Sequence, residues 1–85
     1  MTNYTFQTSG VCCYELSFDL DEQNRVHNLH FAGGCPGNLT ALGKLVEGKS
    51  ATEVAALLKG NDCAGKGTSC ADQLSRALSA ALAQR

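Results

Sequence analysis

The chain has 85 residues, seven basic and eight acidic, and 44% of it is hydrophobic, with much of that share alanine. This length allows one domain over residues 1–85 and excludes a second core, because compact domains most often hold roughly 100–150 residues. The basic residues Arg25, Lys44, Lys49, Lys59, Lys66, Arg76 and Arg85 are scattered, so the basic stripe that neutralises phosphates is missing and no nucleic-acid partner is expected.

The first residues, Met1 to Phe6, have neither a positive start nor an apolar run of signal-peptide length. No later stretch approaches the ~20 apolar residues of a membrane span, so a cytoplasmic location without a membrane partner is expected. Tyr4, Phe6 and Thr8 alternate and can form a strand. Cys12, Tyr14, Leu16, Phe18 and Leu20 alternate more clearly, against Glu15, Ser17 and Asp19; they predict a strand with Cys12 on the core side and Cys13 on the polar side. Asp21 to Asn24 reads as a turn into a second strand, Arg25 to Ala32, with Leu29 and Phe31 on one face and His27 and His30 on opposite faces.

After Gly33-Gly34 the period changes. Pro36 suits the entry to a helix, Asn38 is a candidate cap, and Leu39, Leu42, Leu45 and Val46 repeat at helical spacing up to Gly48. Ser50 and Glu53 form a capping box ahead of Val54, Leu57 and Leu58, and Gly60 closes that helix. A loop from Asn61 to Gly67 follows. Ser69 and Asp72 then open an amphipathic helix with Leu74, Ala77, Leu78, Ala81 and Leu82 on one face. Strands first and helices afterwards define an α+β domain: a small antiparallel sheet of two or three N-terminal strands, covered on one face by about three helices. The absence of Trp and the alanine-rich final helix point to a thin core, and a homodimer is one way to strengthen it.

Five cysteines in a chain without an export signal point to metal or redox chemistry more than to a disulfide framework. Cys12 lies in a strand, Cys35 in the turn Gly33-Gly34-Cys35-Pro36-Gly37-Asn38, Cys63 in a loop and Cys70 at a helix start. Free N–H groups at a helix start favour thiolate, and four soft thiolates suit tetrahedral zinc or an iron–sulfur cluster. The intervals of 22, 27 and 6 residues between successive members contain no Cys-x-x-Cys knuckle, and a cysteine also serves as a small buried hydrophobe.

Two other readings use the same segments. Gly33, Gly34, Gly37 and Asn38, together with Thr68 and Ser69 after Gly65-Lys66-Gly67, can cradle the phosphate of a flavin or another nucleotide, with Tyr14, Phe18 or Phe31 stacking on its ring. Cys63 and Cys70 can alternatively serve as a thiol–disulfide pair for a partner enzyme. His27 and His30 are weaker ligand candidates. No Ser/His/Asp set, paired-carboxylate constellation or complete phosphate-binding P-loop is present.

The segment Thr68-Ser69-Cys70-Ala71-Asp72 resembles the Thr-Ser-Cys-Pro-Asp motif that names the TSCPD domain, with Ala71 in the proline position. Gly10-Val11-Cys12, Gly33-Gly34-Cys35-Pro36-Gly37-Asn38, Lys44-Leu45-Val46-Glu47-Gly48 and Cys63 extend the likeness to the small four-cysteine branch of that family. The resemblance selects Cys12, Cys35, Cys63 and Cys70 as a set and leaves Cys13 outside it. It also implies a relation to the C-terminal domain of adenosylcobalamin-dependent ribonucleotide reductases. A reductase needs a large barrel for radical, substrate and cobalamin, which 85 residues cannot supply. The implied role is therefore an accessory one, not an enzyme on its own, beside a partner in redox or nucleotide metabolism.

Overall fold

The computed structural model describes residues 1–8, 13–33, 36–61 and 68–84. Three strands, β1 (Thr2–Gln7), β2 (Cys13–Leu20) and β3 (Val26–Gly33), precede three helices, α1 (Pro36–Val46), α2 (Ala51–Leu58) and α3 (Cys70–Ala83). The strands form an antiparallel sheet in the order β1-β2-β3, so the α+β expectation holds and the third strand is present.

Alternation in β2 sets the inner face. Leu16, Phe18 and Leu20 are fully buried, and their partners Phe6, Tyr4, Phe31 and Val26 face the same side. Phe18 stacks between Tyr4 and Phe6, with ring centroids 5.7 and 6.1 Å away. Ala51, Val54 and Ala55 of α2 and Leu74, Ala77, Leu78 and Ala81 of α3 complete one hydrophobic cluster with them. A buried Ser75 hydroxyl ties α3 to α2 by donating to the Ala55 carbonyl (2.7 Å).

Two irregularities alter the expected faces. Between Ser17 and Asp19 the partner residues step from His30 to His27, which inserts an extra residue into β3. Asn28 takes φ 56° there, a left-handed conformation that Asn tolerates better than most residues. The bulge keeps Val26, Leu29 and Phe31 on the core side and brings His27 and His30 to the same outer face as Ser17 and Asp19. The expectation that the two histidines face opposite ways is thereby corrected. A second shift between Cys13 and Glu15 leaves Tyr14 outside regular pairing, and Tyr14 is exposed instead of continuing the buried row.

The hairpin turn follows the sequence. Asp21 Oδ1 accepts from the N–H groups of Gln23 (2.9 Å) and Arg25 (3.0 Å), the local bonding that makes Asp a turn former. The outer edge of β3 is covered by the segment after α1. Val26 N–H donates to the Lys49 carbonyl (2.9 Å), Gly48 N–H to the Val26 carbonyl (2.7 Å), and Ala51 N–H to the Asn24 carbonyl (2.8 Å). Gly48, at φ +76°, makes the turn that allows this pairing. These bonds close the outer edge of β3 at its first residue, Val26.

Helix limits are local in origin. Ser50 caps α2 by accepting from Glu53 N–H, and Ser69 caps α3 by accepting from Asp72 N–H (3.0 Å). The first helix begins at Pro36, which places Asn38 inside its first turn and not at the cap position.

Candidate functional site

Of the cysteine set, Cys70 lies within the described residues, while Cys12, Cys35 and Cys63 lie outside them, as do Gly34 and the Gly65-Lys66-Gly67 segment. Cys70 is the first residue of α3 and is buried. Gly33 ends β3 at φ +80°, and Gly37 and Asn38 are exposed in the first turn of α1. Thr68 and Ser69 are buried beside Cys70. Among the described residues no group of three or more His, Cys, Asp or Glu side chains is arranged to hold a metal ion.

The described flanks of the cysteines fall into two anchored pairs. Cys13 and Gly33 are cross-strand partners, so the chain positions next to Cys12 and two before Cys35 meet at one end of the sheet. Asn61 and Ser69 bond twice: the Ser69 hydroxyl donates to the Asn61 carbonyl (2.5 Å), and Asn61 Nδ2 donates to Ser69 Oγ (3.1 Å). The segment that carries Cys63 therefore starts and ends against the residue preceding Cys70.

Asp72 organises that second anchor. Its side chain accepts from Gly60 N–H (2.7 Å), from the Thr68 hydroxyl (2.6 Å) and from Arg76 Nε (3.0 Å). Thr68, the amide of Gly60 and the nearby guanidinium hold this carboxyl below the usual carboxylate range. Gln73 Nε2 in turn donates to Thr68 Oγ1 (3.0 Å). Sequence reasoning assigned Asp72 to the helix cap alone. The bond to Gly60 joins residues 12 apart and leaves no periodic trace, although a Ser-x-x-Asp start after a glycine-ended helix is the pattern in which to look for it.

A second polar cluster occupies the outer face of the hairpin. His27 Nε2 lies 2.7 Å from Asp21 Oδ2, and Nδ1 lies 2.6 Å from Glu47 Oε2. Glu47 Oε1 also accepts from Asn28 N–H (2.9 Å). Asp21 and then Glu47 push the His27 pKa up. The Arg25 amide, followed by His27, holds Asp21 down at about 2, and the Asn28 amide followed by His27 lowers Glu47. His27 is thus an ionic link from the turn through β3 to the end of α1, a structural role that neither histidine's position in the sequence revealed.

Of the three aromatic residues considered for stacking, Phe18 is fully buried and unavailable. Phe31 and Gly33 line a groove of about 490 Å³ between β3 and α1, with Leu39 and Lys44 opposite.

A small three-stranded antiparallel sheet followed by three helices, with a buried cysteine after the capping Ser69 at the start of the last, defines the class: a compact α+β thiol-bearing module. Residues 2–82 match the TSCPD domain model, nearly the whole chain. The chain therefore belongs to the TSCPD domain family, which is associated with ribonucleotide reductases. No curated protein and no solved structure matches it. No helix among the described residues is long and apolar enough to cross a membrane.

Proposed function

We propose that this TSCPD domain is a small metal-binding module that holds zinc, with an iron–sulfur cluster as the alternative, through Cys12, Cys35, Cys63 and Cys70. The observation that carries the reading is the pair of anchors: Cys13 opposite Gly33, and Asn61 bonded to Ser69. The first anchor draws together the flanks of Cys12 and Cys35, distant in sequence, and the second closes the short segment between the flanks of Cys63 and Cys70; a four-cysteine centre would join the two pairs. The donor chemistry fits, since soft thiolates favour zinc or iron, and Cys70 begins a helix where free N–H groups stabilise negative charge. Four thiolates leave no open coordination position, which makes the role structural or electron-transferring and not hydrolytic. The family's association with ribonucleotide reductases supports an accessory role in redox or nucleotide metabolism.

Anaerobic purification followed by elemental analysis tests this directly. Stoichiometric zinc or iron is expected, with loss of metal when any of Cys12, Cys35, Cys63 or Cys70 is replaced by serine and retention when Cys13 is replaced. Metal-free protein that takes up neither ion on titration would reject the reading.

The groove between β3 and α1 favours one second reading, a flavin or other nucleotide beside Gly33, with Phe31 against the ring and Lys44 near the phosphate. Flavin absorbance or a bound nucleotide released by denaturation supports it; a colourless protein that releases no nucleotide removes it.

A further inference from the structure

Of the alanines of α3, which suggested a subunit interface in the sequence, Ala77 and Ala81 are buried in the chain's own core, Ala71 and Ala80 are half-buried and Ala83 is exposed. The exposed apolar surface is elsewhere. Leu57 and Leu45 are 82% and 72% exposed; among the described large hydrophobic side chains Leu57 is the most exposed, ahead of the N-terminal Met1. Both line an apolar groove of about 250 Å³ between α1 and α2, whose walls include Leu42 and Leu58 and whose rim carries Lys49 and Glu53. Contiguous apolar surface rimmed by polar groups marks an interaction site on a soluble domain, unlike single scattered leucines.

We infer that this α1–α2 face is the self-association surface of the protein, and that its occupant is the same face of a second copy in a two-fold dimer. The composition of the patch selects that partner. A two-fold interface must be complementary to itself, with both halves of every contact on one surface. This face offers a protruding Leu57 beside a groove for an apolar side chain, and a cation beside an anion on one rim. Neither Lys49 nor Glu53 forms a side-chain ion pair among the described residues, so both charges are available to the other copy. A two-fold operation sets Lys49 of one subunit against Glu53 of the other, twice, and seats each Leu57 in the opposite groove. A partner of one charge sign would leave one of these rim residues opposed. Small domains with a thin core also gain stability from a second subunit. An interface confined to two short helices is small, so dissociation in the micromolar range is expected.

Sedimentation velocity of the full chain across about 1–500 µM tests the inference, because a micromolar dimer dissociates within that window. A concentration-dependent monomer–dimer equilibrium is expected. Leu57→Glu, at a solvent-exposed position, should weaken association at least tenfold while the far-UV circular dichroism is unchanged. Lys49→Glu alone and Glu53→Lys alone should each weaken it, because each places like charges together twice. An equimolar mixture of the two charge variants should recover a heterodimer, because both rim contacts then become attractive. A wild-type monomer throughout would overturn the inference, even if Leu57→Glu abolished binding of a hydrophobic dye, since the face would then serve another partner. A dimer that Leu57→Glu and both charge variants leave intact would overturn it equally.

Discussion

Replacing Asp72 by alanine should be the most damaging single polar substitution in the described chain. The Asp72 side chain is 4% exposed and accepts from the Gly60 amide at 2.7 Å and the Thr68 hydroxyl at 2.6 Å. Hydrogen bonds to a charged acceptor contribute about 1.5–3 kcal/mol each. Gly60 is exposed, so water can take over its amide and that bond counts at the low end. Thr68 is buried and loses its acceptor outright. The Arg76 pair adds at most about 1 kcal/mol, because that guanidinium is 64% exposed.

The sum is at least about 3 kcal/mol, a large part of the roughly 4–13 kcal/mol available to a domain of this size. Urea unfolding at neutral pH with chelator present reads the loss without a metal contribution. With a slope of about 1 kcal/mol per molar, the midpoint should fall by about 3 M or more. Asp72→Asn keeps one acceptor oxygen and should lose about half as much. A fall below about 0.5 M for the alanine variant would refute the reasoning from hydrogen-bond count, as would equal losses for both variants.

The His27 link predicts a pH dependence with a definite sign. Its folded pKa is raised by Asp21 and Glu47, so its stabilisation is fully present below the ordinary histidine value near 6.5 and fades as pH rises through the raised value. The ring resonances of His27 should titrate above that ordinary value, and His27→Ala should flatten the decline in stability on the alkaline side; an unshifted titration would rule out the ionic link. At Gly43 a new Cβ would lie 3.3 Å from the Leu29 carbonyl oxygen, so Gly43→Val must push α1 away from β3. That substitution should cost about 2 kcal/mol by thermal or urea unfolding, despite valine's better helix propensity, and an unchanged stability would show that α1 shifts freely.

Much of the fold was written in local patterns. The apolar alternation of β2, the serine caps at Ser50 and Ser69, and the glycines at positions 48 and 60 each act within a few residues, and the structure uses them as expected. What escaped sequence reading depends on register or on distant partners. Tyr14 continues the alternation on paper, yet a shift in pairing with β3 turns it outward. His27 finds Glu47 20 residues away, and Asp72 finds Gly60 12 residues away; neither spacing is a period of helix or strand. For the site, the TSCPD motif located Cys70 and the capping Ser69 at the start of α3. Which other groups meet there is a matter of how loops close, and composition does not encode that closure.

The extra residue at Asn28 limits how this sequence can vary. Adding one position there would reverse the alternation beyond it and present Leu29 and Phe31 to water, whereas removing Asn28 itself would leave Val26, Leu29 and Phe31 facing in and His27 and His30 facing out. Position 28 can therefore accept a different side chain, glycine above all at a positive φ, or its own loss, more easily than the segment can accept an added residue. Insertions during divergence should accordingly collect outside residues 26–33, in the connections between elements.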